Sequence, residues 1–189
     1  DEVDYVRARM DHLVKQGLED AGIVPIGFTE GGFGYLMGQE PIEGVDDLEG
    51  LKIWIPEGDL VSELSFKEAG VAPTPLPFPD VYTALQTGLL DTVVTLPTAA
   101  IAFQWHTKLK TFTDVPLSYV IGILAISKKS FAKISPQDQA VMRDVMAQAF
   151  ARLSKLNRQD NQNARDALRN QGITFYAVNK EETRRWRAA

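Results

Sequence analysis

The sequence predicts an α/β protein with mostly parallel or mixed sheets, on three observations. Short apolar, β-branched runs alternate with segments of helical periodicity along the chain. Glycine or proline stands at most changes of period, where it stops a helix or turns the chain. One run, "YVIGILAI" (119–126), is apolar without alternation, the pattern of a strand covered on both faces.

Val3, Val6, Met10, Leu13, Val14 and Leu18 recur at helical spacing and Gly22 follows as a stop, predicting a first helix. "IVPIGF" then reads as a short buried strand. "TEGGFGYLMG" reads as a glycine-rich turn or crossing segment. Its glycines, from Gly32 to Gly38, miss the dinucleotide-binding spacing by one residue and no helical run follows, so a Rossmann site is unsupported. "VDDLEG" is a short polar turn of helix.

Leu51, Ile53 and Ile55 alternate with Lys52, Trp54 and Pro56, the period of a half-buried strand. Trp54 falls on the face expected to be polar. Either a second layer of protein covers that face, with the indole under the helix predicted for residues 59–69, or the indole borders a cavity that a guest molecule fills.

Gly70 ends the helix from Asp59, and "APTPLPF" is a strand that its prolines keep short or place at an edge. Asp80 opens a helix over 81–89, with Val81, Ala84 and Leu85 on one face and Gly88 at its end. "DTVVTLP" is a buried strand, "TAAIAFQWHTKL" a helix and "KTFTDVP" a short strand. Ser135, Pro136 and Asp138 supply a hydroxyl cap, a proline at the first helical position and an acid at the third. The helix they start runs roughly 50 Å, at 1.5 Å per residue, before Gly172 ends it. "ITFYAV" is a last strand and "NKEETRRWR" begins a last helix.

At 189 residues, 44% hydrophobic and 24% charged, the composition is that of a soluble globular protein with one sizeable core or two small ones. A net charge of −5 leaves no basic field for a polyanion, so no nucleic-acid partner is expected. Arg184, Arg185 and Arg187 read as a solvated helix face. The chain has no cysteine, which excludes disulfide scaffolds, thiolate metal sites and cysteine nucleophiles. No stretch has the roughly 20 apolar residues of a membrane helix. The chain opens inside an amphipathic helix, which leads us to expect a preceding portion that carries any localisation signal.

Catalytic motifs are missing. His12 and His106 are the only histidines, far apart and without partner motifs, and no nucleophile elbow, zinc-protease or phosphate-cradle pattern occurs. Asp46, Asp47 and Glu49 read as a solvated or capping cluster. No residues nominate themselves as acid, base or nucleophile, so an enzyme is not expected.

The stretch "DLEGLKIWIPEGD…AGVAPTPLPFPDVYTALQTGLLD" closely resembles the DctP-type solute-binding proteins of tripartite ATP-independent periplasmic (TRAP) transporters. "ISPQDQAVMRDVMAQAFA" and "NQGITFYAV" resemble that family's long helix and the strand after it, and the likeness runs from about Ile23 onward. It implies a type II periplasmic-binding fold of two lobes with mixed sheets. The part present is mainly the second lobe with the hinge and part of the first. On that pattern residues 1–30 are a remnant of the first lobe with the crossing strand, and 31–118 are the second lobe. Residues 119–172 are a crossing strand and the long helix of the first lobe or hinge, and 173–189 return to the second lobe.

The resemblance implies an extracytoplasmic, periplasmic receptor. It captures a small organic, carboxylate-containing solute by lobe closure and delivers it to membrane permease subunits. An effector-binding domain of a transcriptional regulator, which has the same lobe architecture, is the alternative. The family commonly carries arginine at the position of Trp54, a second arginine near Gly34 and an asparagine near Thr95. All are replaced here, so a metal ion bridging to the acid or an arginine from elsewhere would have to supply positive charge. No cofactor is otherwise implied. The expected ligand-binding residues are Trp54, Glu57, Glu30, Phe33, Tyr35, Thr95, Pro97 and Trp105. Glu30 and Glu57 are the candidates for a cation or ammonium group, and solvated surface is the competing role for each. The long helix leaves open a homodimer, through that helix or by swapping.

Overall fold

The structure, a computed structural model, describes residues 2–188. Its elements are helix α1 (Glu2–Asp20), strand β1 (Ile23–Gly38), β2 (Ile53–Pro56), α2 (Leu60–Glu68), β3 (Thr74–Leu76), α3 (Val81–Thr87), β4 (Thr92–Thr95) and α4 (Pro97–Ala102). There follow β5 (Thr111–Thr113), β6 (Ser118–Ser127), α5 (Lys128–Phe131), α6 (Pro136–Asn170), β7 (Thr174–Tyr176) and α7 (Lys180–Ala188). Single turns of tighter helix lie at Val45–Leu48, Phe78–Asp80 and Trp105–Thr107.

The chain divides into two compact units, one made of the segments up to Gly31 and Ile121–Arg158, the other of Gly32–Val120 and the segment from Gln159 onward. The second unit is built on a mixed sheet in the order β3-β2-β4-β1-β5-β7, and β6 also pairs with β1. Strand β2 is parallel to β3 and β4, and β5 is parallel to β7. Strand β1 runs antiparallel to β4 and β5, with Tyr35 opposite Thr95 and Met37 opposite Phe112. Strand β3, which contains Pro75 and is flanked by Pro73 and Pro77, lies at the sheet edge, where the missing proline N–H breaks no ladder.

Period two along β2 sends its side chains to different cores. Ile53 and Ile55 pack with Leu36, Phe66 and Val71. Trp54 packs on the opposite face with Met37, Val93, Trp105, Phe112 and Leu168. The first unit has a smaller core of Val24, Ile26 and Phe131, with Ile126, Met142 and Met146 against it.

Four expectations need correction. The glycine-rich segment 29–38 is not a turn: it continues the strand begun at Ile23, giving β1 16 residues. The helix expected over 98–109 breaks after Ala102, where Gln104 takes a left-handed φ of 59°. Strand β6 is not covered on both faces, since Val120, Ile121, Ile123 and Leu124 are exposed. The long helix α6 does not belong wholly to the first unit. Its last part groups with the second, because Ala164 and Leu168 are buried there and Leu168 joins the core of Met37 and Phe112.

The start of α6 forms as its sequence specifies: the Ser135 hydroxyl accepts from the Asp138 N–H at 3.2 Å, and its O–H donates to the Asp138 carboxylate at 2.7 Å.

Candidate functional site

In open α/β sheets ligands bind beyond the carboxyl ends of the parallel strands, where the loops leaving them converge. Here the parallel set is β3, β2 and β4, and four aromatic rings gather beside it. Trp54 comes from β2. Phe78 stands two residues after β3, on a turn that Pro77 and Pro79 restrict. Phe103 and Trp105 follow α4, where the left-handed Gln104 reverses the chain between them.

Trp54 meets Phe78 and Trp105 edge to face, at ring-centre distances of 4.9 and 5.0 Å. Trp105 lies nearly parallel to Phe103, at 5.3 Å and 26°, and to Phe78, at 6.0 Å and 17°. The two indoles are almost fully enclosed, at 1% exposure each, whereas Phe78 is 44% and Phe103 48% exposed. The cluster is thus a two-layer platform, with tryptophans as floor and phenylalanines as open surface.

The expectation that the Trp54 indole lines a cleft is corrected by this packing. A second layer covers its face, but the covering comes from the loops after β3 and α4 and not from α2. Its N–H donates to the Leu76 carbonyl at 2.9 Å, so the polar edge of the ring is spent inside the protein. Trp105 is likewise floor and not surface.

Thr95 ends β4 and is buried, and Pro97 is buried at the first position of α4. Tyr35 is half-buried against Phe112, with ring centres 4.7 Å apart and the Arg165 guanidinium 5.0 Å from its own. Burial pushes its phenol pKa up, opposed by the nearby Arg165 charge. Arg165 is committed to Asp114, bonding both carboxylate oxygens at 2.7 Å. Phe33 is partly exposed and meets Tyr119 edge to face at 4.8 Å. Glu57 is exposed just past the end of β2.

Glu30 belongs to the first unit and is not an open acid. It is only 5% exposed, its carboxylate accepts from Arg7 at 2.5 Å and from Arg158 through both oxygens, and its carbonyl accepts from Asn157 at 2.6 Å. Two guanidinium groups already neutralise it, which corrects the expectation of a cation-binding pair with Glu57. Arg158 also reaches Asp4 at 2.5 Å, and this bond holds the Asp4 carboxyl below its ordinary range. Among the described residues no group of three or more His, Asp or Glu side chains is placed to hold a metal ion.

Phe78 and Phe103 are missing from the residues expected above. Their signal was present: "PFPD" puts an aromatic between prolines directly after a strand, and "FQW" spaces two rings around a residue with a polar side chain. The sheet face under α2 carries a separate cavity of about 240 Å³, lined by Val61, Phe66, Val94, Leu117, Ser118 and Trp186. Gly34 accommodates that face, since a Cβ there would lie 2.7 Å from the Ser118 hydroxyl oxygen.

The two-unit α/β architecture is compatible with many functions, and comparison with known proteins fixes the family. The chain belongs to DctP, the bacterial extracellular solute-binding proteins of family 7, whose model matches residues 5–189. It is 28% identical over 186 residues to the C4-dicarboxylate-binding periplasmic protein DctP of Rhodobacter capsulatus, an alignment covering 93% of this chain and 55% of that protein. It superimposes on the Bordetella pertussis extracytoplasmic solute receptor DctP7, which binds pyroglutamic acid, with a TM-score of 0.91 at 19% identity, covering 99% of this chain and 62% of that one. The TRAP periplasmic solute-binding protein of Roseobacter denitrificans with bound L-galactonate gives a TM-score of 0.84 at 25% identity, covering 94% and 59%. The chain therefore spans about half the length of the curated relatives it matches. The mixed α/β fold is that of the TRAP periplasmic binding proteins, and these matches give no support to the regulator's effector domain.

Proposed function

We propose that this chain is part of an extracytoplasmic receptor that captures a small organic acid and delivers it to the membrane subunits of a TRAP transporter, without chemistry of its own. The observation that carries this reading is the solvent-facing aromatic platform beside the parallel strands of a solute-receptor fold. Relatives that bind pyroglutamic acid and L-galactonate support an acid as cargo. The periplasm is the compartment this reading requires. No helix among the described residues is long and apolar enough to cross a membrane.

Phe78 and Phe103 supply the apolar contact, and Thr95, Phe33 and Glu57 are the remaining candidates near the strand ends. The receptor works without a cofactor on this reading. Thermal unfolding against a panel of sugar acids, dicarboxylates and cyclic acids tests it: one member should raise the melting temperature saturably. A flat response across the panel, together with solute-independent uptake by the cognate permease, would overturn it. Affinity should survive dialysis against a chelator; a loss restored by Ca²⁺ would assign a bridging metal.

A further inference from the structure

We propose that the platform selects a solute carrying a planar, unsaturated ring over a saturated one of the same charge and size. The inference rests on the receptor reading and adds the chemistry of the cargo. Isolated exposed phenylalanines are ordinary on protein surfaces and need no explanation. Phe78 and Phe103 are not isolated: their centres are 5.8 Å apart, and each is nearly parallel to the enclosed Trp105 beside it.

Because Trp105 and Trp54 back these rings, they are held before any ligand arrives, so little side-chain freedom remains to be lost on binding. The indole N–H of Trp54 is consumed by Leu76. The two phenylalanines offer π faces and edges with no hydrogen-bonding group. A saturated skeleton gains only the burial of its area on such a surface, whereas an unsaturated ring adds the quadrupole contact of an aromatic pair. The predicted discrimination is about two- to tenfold in affinity, the range measured for aromatic pairs.

The test uses the full chain with benzoate and cyclohexanecarboxylate, which share charge and approximate size, followed by tryptophan fluorescence in a Trp186→Phe background so that the signal comes from Trp54 and Trp105. Benzoate should bind about two- to tenfold tighter. Phe103→Leu and, separately, Phe78→Leu should bring the two acids to parity while near-ultraviolet circular dichroism shows the indoles still packed. Equal affinities in the unaltered chain, or a preference that survives both variants, would overturn the proposal and leave the receptor reading standing. So would binding of L-galactonate or pyroglutamate with no binding of benzoate. No response to any of these acids would overturn the proposal, and the receptor reading falls with it only where uptake by the cognate permease is also solute-independent.

Discussion

Trp54 and Leu76 lie on neighbouring parallel strands and are joined outside the sheet ladder, the indole N–H donating to the Leu76 carbonyl at 2.9 Å. The bond commits the indole's only donor to the carbonyl of the edge strand, and the ring packs against Phe78 and Trp105 as the floor of the aromatic platform.

Trp54 is therefore a stability residue first. Trp54→Ala should cost about 3–5 kcal/mol, the range for deleting an enclosed large aromatic. Trp54→Phe should cost less, because it keeps much of the ring but leaves the Leu76 carbonyl without its donor, at about 1–3 kcal/mol. Urea unfolding followed by circular dichroism measures both, and a Trp54→Ala chain of unchanged midpoint would show that the indole does not stabilise the fold.

Glu30 should behave as an internal anchor of the first unit. Glu30→Gln leaves Arg7 and Arg158 without their shared carboxylate. Breaking a fully buried pair costs about 3–5 kcal/mol. Arg158 is 44% exposed and water can take up part of its charge, so we expect a smaller loss, about 1–3 kcal/mol. Unfolding midpoints of the two chains decide this, and adding Ca²⁺ should change neither, since the site is already filled by arginine.

Tyr35 predicts an alkaline limit. Burial raises its folded pKa above the ordinary value of 10.0, so folding favours the neutral phenol. That contribution is fully present below pH 10 and is lost as pH rises through the folded pKa. Melting temperatures of the chain and of Tyr35→Phe, compared between pH 8 and 11.5, should diverge only above about pH 10, with the variant falling less steeply. Parallel curves would show that the phenol does not contribute.

The apolar surface left open on β6 and α6 predicts self-association. Val120, Ile121, Ile123 and Leu124 on the strand, with Val141, Val145, Leu153 and Leu156 on the helix, are all exposed. Open apolar strands and large apolar patches favour pairing. Light scattering should show this chain associating as concentration rises, and Ile123→Thr with Leu124→Thr should weaken the association. A monomer at millimolar concentration would exclude a homodimer through these faces.

The elements were largely legible in the sequence because each carries a local cause. Ser135, Pro136 and Asp138 specify the start of α6 whatever surrounds them, and Gly88 and Gly172 stop their helices with left-handed φ of 74° and 91°. Gly31 and Gly32 misled locally, because glycine is compatible with a turn and with an extended strand, and pairing partners far along the chain decide between them.

The site was legible only in outline. Period two in β2 placed Trp54 on the face away from Ile53 and Ile55, and the two explanations for it predict the same local sequence. Tertiary packing chose: Phe78 and Trp105, 24 and 51 residues downstream by number, close over the indole. Glu30 shows the same limit, since nothing within its own segment reveals that Arg7 and Arg158 arrive on other elements to neutralise it. Alternation and capping are properties of neighbouring residues and can be read from their order, whereas burial and ion pairing depend on which distant segments meet. The sequence by itself determined most of the strands and helices and the face that Trp54 takes in β2; the tertiary structure decided where 29–38 pairs as strand, where the helix after Pro97 breaks, and which faces are filled.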